Sequence, residues 1–257
     1  MEGVTDSERV RVVVRMAKFI SVAGTAIVAG TAVLLGPLTA SAAASATPAA
    51  LYHEAMATTK GWTVHYVSTS TSSKVPFLET GDAGPASGTQ SIRVGAGATL
   101  DTATLIVIGD LTYIRGNELA MEDLTGLSAP EATTTMGHWV LFSSNNPAFA
   151  QVVVGVRSND VAQEVALQGP YTFGRSRSLN GYKVDALRGT QKLQGTKRTD
   201  AVLYVRASGR HLIVEEDTVD SQGKPTGAEH IVFSKWGETV RPTAPDASAT
   251  LGSVNAT

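Results

Sequence analysis

His53 and Glu54 stand together as the first two residues of a zinc-protease H-E-x-x-H helix would, but position 57 is alanine, so the second imidazole ligand is missing. Gly95-Ala96-Gly97-Ala98-Thr99-Leu100 opens like a dinucleotide-binding turn, ends on leucine and leads into no recognisable helix. Gly174-Arg175-Ser176-Arg177-Ser178 lacks the closing glycine of a nucleophile elbow and falls in a strand pattern. The histidines at 53, 65, 138, 211 and 230 occur singly, without the local spacing of metal ligands. Glu215-Glu216-Asp217 gathers three carboxylates at an expected strand end, where a solvated edge or turn accounts for them and no calcium-loop spacing is present. These residues assign no nucleophile, acid–base pair, metal site or cofactor. The expectation is a protein that is not an enzyme.

Composition narrows the classes further. The chain has 257 residues, 42% hydrophobic and 17% charged, enough for one globular domain with an appendage and too apolar for a disordered chain. Its formal charge of −2 leaves no basic excess for a phosphate backbone, so nucleic acid is not an expected partner. Without cysteine there is no disulfide, no thiolate metal site and no sulfur to carry a lipid.

Residues 1–42 read as an export signal or N-terminal anchor. Arg9, Arg11, Arg15 and Lys18 precede an uncharged run from Phe19 to Leu35, after which Gly36-Pro37 breaks any helix. Ala40-Ser41-Ala42, Ala42-Ala43-Ala44 and Ala44-Ser45-Ala46 all satisfy the small-x-small rule of signal peptidase, so the cleavage point stays open. The uncharged run approaches the ~20 residues that cross a bilayer, so retention as an anchor through residues 19–35 is the alternative. Either way the remainder is expected outside the cytoplasmic membrane: one domain over 47–245 and a flexible tail over 246–257.

Within that domain Thr47-Pro48 opens a helix whose Leu51, Tyr52, Ala55 and Met56 share a face, and Lys60-Gly61 closes it. Trp62, Val64 and Tyr66 then alternate with polar residues, as in a half-buried strand. Residues 71–88 read as a loop. Strands are expected over 89–94, 103–108 and 111–115, the last two joined tightly at Gly109-Asp110, and 121–136 reads as irregular. A short strand over 137–143 is followed by a helix from Pro147 with Phe149, Val152, Val153 and Val156 in one stripe, and Ser158 or Asp160 caps another helix running to Val165. Strands over 171–177, 181–189, 201–207, 210–216 and 229–236 complete an α+β domain with a strongly curved antiparallel sheet of eight or nine strands. Ala103 to Ile108, Ala201 to Val205 and Ile231 to Phe233 are apolar on both faces. Periodicity alone favours packed core on both sides over a greasy cavity between sheet and helices.

The order of these elements, with Gly109 to Ile114 (GDLTYI), Gly137-His138-Trp139 followed by Pro147-Ala148-Phe149, Gly181 to Gly189 (GYKVDALRG) and Phe233 to Val240 (FSKWGETV), is similar to the LppX/LprAFG family of actinobacterial cell-envelope lipoproteins. Tyr113, Trp139, the Gly181 to Gly189 strand and Trp236 fit that family's pattern in turn, as residues that define the fold. The resemblance implies a LolA-like half-open β-barrel with helices packed on its concave side around a hydrophobic cavity, and a carrier of acylated lipids or glycolipids in the cell envelope. The departure is the absent lipobox cysteine, which leaves free export or the N-terminal segment as the means of attachment.

A carrier needs an apolar lining and polar groups at its mouth, and no reactive side chain. Strand parity and helix phase make Val64, Tyr66, Leu105, Val107, Phe149, Val152, Val153 and Val156 the candidates for that lining; each of them also suits ordinary core. A lipid or glycolipid ligand and transient contact with the cell membrane are the expected partners. The alternative is an extracytoplasmic interaction or sensor module with a filled core and no cargo.

Overall fold

A computed structural model of the chain describes residues 47–70, 75–143, 155–192 and 198–251. Residues 1–42, expected to be an export signal or anchor, and the positions of Phe149, Val152 and Val153 lie outside the described residues. Helix α1 (Pro48–Gly61) starts where expected: the Thr47 hydroxyl accepts a hydrogen bond from the Ala50 amide at 3.2 Å, with proline in the first turn. It buries Leu51, Tyr52, Ala55 and Met56, the predicted face, together with Thr59.

Strands β1 (Val64–Ser70), β2 (Phe77–Ala83), β3 (Ser87–Val94), β4 (Asp101–Ile108) and β5 (Leu111–Gly116) form a meander. Helices α2 (Glu118–Thr125) and α3 (Ala129–Thr135) follow, then β6 (Trp139–Ser143), helix α4 (Ser158–Glu164), β7 (Gln168–Phe173), β8 (Arg177–Leu179), β9 (Tyr182–Lys192), β10 (Arg198–Arg206), β11 (Ile213–Val219), β12 (Pro225–Ser234) and β13 (Thr250–Leu251). All belong to one curved, open, thirteen-stranded sheet, ordered β13-β6-β5-β4-β3-β2-β1-β12-β11-β10-β9-β7, with β8 also on β9. Every pairing is antiparallel except β13 with β6, where Thr250 and Leu251 lie beside Trp139 and Val140. The N-terminal and C-terminal meanders meet at one seam, β1 on β12, in register from His65 opposite Ser234 to Thr69 opposite His230.

The four helices among the described residues cover the same face. α2 and α3 contribute Ala120, Met121 and Ala132 to a cluster with Ile92, Ala103, Leu105, Ile114, Val140 and Phe142. α1 and α4 contribute Leu51, Ala55, Met56, Val161 and Ala162 to a second cluster with Val64, Leu187, Leu203, Ile213, Ile231 and Phe233. Each fully buried Leu, Ile or Phe contributes about 1.5–3 kcal/mol relative to exposure, which makes this face the main source of cohesion. The second half of the sheet is also covered outside, where Val184, Ala186, Val202, Tyr204, Val214 and Val219 cluster. That is why Ala201 to Val205 reads as apolar on both faces.

Three expectations are corrected. The expected loop 71–88 contains β2 and the first residues of β3. Their small and polar composition hides a strand whose inward positions are Glu79, Gly81 and Ala83. The expected irregular stretch 121–136 holds most of α2 and all of α3. Asn117 caps α2 by accepting from the Ala120 amide at 3.2 Å, and Ser128 with Glu131 forms a capping box on α3. The acidic run 215–217 lies within β11 rather than at a wet end, and alternation turns Glu216 inward, where it is 0% exposed.

Candidate functional site

Between the two apolar clusters of the helix-covered face runs a polar strip built on two adjacent rungs of the sheet. Along the first rung, register aligns Ile114, Leu105, Gln90, Gly81, Tyr66 and Phe233 on six successive strands. Gly81 has no side chain, and a Cβ there would lie 2.5 Å from the Tyr66 ring, so the ring occupies the room that glycine leaves. The Tyr66 hydroxyl thereby reaches Gln90, two strands away, whose Nε2 donates to it at 2.8 Å.

The neighbouring rung brings Ile92, Glu79, Ser68, Ile231, Glu216 and Leu203 into line. Glu79 Oε1 accepts from the Tyr66 hydroxyl at 2.8 Å and from Gln90 Nε2 at 2.6 Å. Tyr66 also lies 3.0 Å from the Gly155 carbonyl oxygen, a second acceptor for its one proton. Gly155 is fitted against this triangle: with φ +79°, a Cβ on it would come within 2.6 Å of Gln90 Nε2 and 3.1 Å of Glu79 Oε1.

Burial away from water disfavours the charged carboxylate and pushes Glu79 up to about 7. The hydrogen bonds from Tyr66 and Gln90 oppose that rise, and the charge of Glu229 adds to it. Tyr66 is held well above the ordinary phenol range, by burial first and by the charges of Glu79 and Glu164 after it. At neutral pH Glu79 is therefore divided between its two forms.

Of the predicted lining residues, Val64 and Tyr66 belong to the cluster under α1 and α4, and Leu105, Val107 and Val156 to the cluster under α2 and α3. All five are buried on the helix-covered face, Tyr66 within the polar strip and Leu105 on the same rung. Sequence reading missed Glu79 and Gln90. The available signal was parity: Glu79, Gly81 and Ala83 alternate in phase with each other, and Gln90 with Ile92 and Val94, so each polar residue occupies an inward position.

On the opposite face, ligand atoms of Glu215, Asp217 and His230 lie within 4.8 Å of one another. Arg177 already occupies that acidic corner. Its guanidinium is 2.7 Å from Glu215 and 3.7 Å from Asp217 and sits 3.8 Å from the centre of the Tyr204 ring, while His230 Nδ1 contacts Asp217 at 2.7 Å. That hydrogen bond is the main reason the His230 imidazole binds its proton more tightly than usual. Together these groups form a compensated charge network. Trp236, one of the pattern residues, donates from Nε1 to the Ile213 carbonyl at 3.0 Å and so fastens the end of β12 to β11.

No protein-family model matches the chain, and no curated protein matches it in sequence. Among solved structures it is similar to LprF from Mycobacterium bovis, with 17% identity over 76% of this chain and 94% of that one and a TM-score of 0.46. It is likewise similar to the Mycobacterium tuberculosis lipoprotein LppX, with 14% identity, 76% and 97% coverage and a TM-score of 0.43. MucB aligns at 12% identity over 79% of this chain and 61% of that one, with a TM-score of 0.38.

Proposed function

We propose that the chain is an exported, non-enzymatic carrier that holds the acyl chains of a lipid or glycolipid against the helix-covered face of its sheet and moves them between the membrane and the outer envelope. The observation that carries this reading is the composition of that face: two apolar clusters under separate helix pairs, with the Tyr66, Glu79 and Gln90 groups between them. The motif resemblance described above points the same way, and the basic and uncharged pattern of residues 9–35 supports export.

The energetics suit a carrier. A sixteen-carbon tail removed from water gains roughly 13 kcal/mol at ~0.8 kcal/mol per methylene, but a tail leaving a bilayer is already shielded, so its transfer is nearly neutral. An apolar face beside fixed hydrogen-bonding groups is then sufficient, the apolar part holding chains and the strip orienting a head group. Of the predicted lining residues, Val64, Leu105, Val107 and Val156 belong to the hydrocarbon side of this site.

Native mass spectrometry of protein purified gently from its host, followed by titration with a fluorescent fatty acid, tests the reading. Co-purifying lipid and saturable uptake are expected. A ligand-free protein that ignores the fatty acid overturns the reading and leaves an interaction module with a filled core. Val153→Trp is expected to reduce uptake more than thermal stability, whereas equal loss of both indicates solid core.

A further inference from the structure

The outer face of the N-terminal meander carries a groove of about 650 Å³ over β3, β4 and β5. None of the predicted lining residues borders it. Its floor is built from two rungs: Ser91, Thr104 and Arg115 align on one, and Arg93 faces Thr102 on the next. By ordinary strand spacing the two arginine Cα atoms are about 12 Å apart, so their side chains rise on either side of a floor of threonine hydroxyls. The Arg115 guanidinium rests over the Trp139 ring at 4.8 Å, which holds it in place without neutralising it. Among the described residues neither Arg93 nor Arg115 is paired with a carboxylate, and the groove lining contains no acidic side chain.

Two guanidinium groups with hydroxyls between them, and no anion to answer them, match a phosphate ester. The rim indicates which kind. Leu78 lies directly across from Arg93 in β2 and is 38% exposed, and Met136, at the groove's edge, is 46% exposed. Apolar side chains standing beside a cationic groove suit an amphiphile better than a free ion. We propose that this groove binds the phosphate head group of an anionic phospholipid and seats the outer face of the sheet on a membrane surface. It lies on the side of the sheet opposite the face assigned to cargo, so docking and carriage are separable.

The experiment titrates the full chain at low salt with dihexanoylphosphatidylglycerol below its micellar concentration. Dihexanoylphosphatidylcholine serves as the zwitterionic counterpart and inorganic phosphate as the free anion, with heat and tryptophan fluorescence as readouts. The glycerol lipid is expected to bind about tenfold more tightly than the choline lipid or phosphate, and the double variant Arg93→Gln with Arg115→Gln to lose about that factor. Fluorescent fatty-acid uptake by the double variant should match that of the wild type, which also verifies its fold and keeps this test independent of the carrier reading. Equal binding of the two lipids, or an unchanged double variant, overturns the proposal. Phosphate binding as tight as the glycerol lipid and lost in the double variant overturns the membrane assignment in favour of a soluble anion.

Discussion

Tyr66 covers Gly81, its cross-strand partner, so closely that a Cβ at position 81 would sit 2.5 Å from the phenol ring. The placement of the buried hydroxyl between Glu79 and Gln90 depends on that missing side chain. Gly81→Ala therefore displaces the ring and breaks the triangle. A loss of about 1–3 kcal/mol in urea unfolding is expected, from overpacking and from polar groups left unmatched. Pairing it with Tyr66→Phe, which already lacks the hydroxyl, should give a combined loss smaller than the sum.

Glu79 carries a pH signature. Its folded value of about 7 lies above that of the unfolded chain, so the native state binds the proton more tightly. Stability from this group is greatest where Glu79 is protonated and falls as pH rises from about 4.5 through 7. The full effect is roughly 3 kcal/mol. Glu79→Gln keeps an acceptor for Tyr66 and Gln90 and cannot ionise, so unfolding between pH 5 and pH 8 should show a visibly flatter profile in the variant.

Removing Arg177 should show a pH dependence that a simple loss of packing would lack. Its guanidinium contacts both Glu215 and Asp217, and His230 is the other cation of the network. Arg177→Ala is expected to cost more at pH 9.5 than at pH 5.5, because the proton that His230 holds more tightly through its bond to Asp217 keeps a second cation in the network at the acidic end. Thermal melts at the two values check this. Similar losses at both would show that the Tyr204 contact matters more than the charge.

Asn117 links a helix start to a strand. Its Oδ1 accepts from the Thr102 and Ala120 amides at 3.1 and 3.2 Å, and its Nδ2 donates to the Leu100 carbonyl at 2.7 Å. Asn117→Ala should lose about 1–2 kcal/mol, while Asn117→Asp, which keeps both accepted bonds, should recover part of it. Chemical denaturation of the two variants separates the cap from the strand contact.

Much of the scaffold is legible in the chain because it rests on repeats of two or of four. Val64 and Tyr66, the strand over 103–108 and the face of α1 through Leu51 and Ala55 all follow from spacing, and Gly109-Asp110 marks its hairpin. β2 escapes because Glu79, Gly81 and Ala83 lack the bulk that marks an inward face. α2 and α3 are short and weakly amphipathic; their caps at Asn117 and Ser128 carry the signal, and a reading by hydrophobic stripe passes over them. The polar strip is harder still to see. A buried glutamate and glutamine look like surface residues until register places them beside Tyr66, and that register involves three strands at once.

The seam between β1 and β12 has a consequence for how the molecule is made. It joins residues at least 161 positions apart along the chain, the separation of Thr69 and His230, whereas most other strand pairs link neighbours in sequence. Closing a loop of that size costs about 4.5 kcal/mol of chain entropy beyond a constant term, and this is recovered only once both halves are in place to receive it. The two meanders are thus the early units of assembly, and the rungs bearing Tyr66 and Ser68 are completed by Phe233 and Ile231 only in the last step.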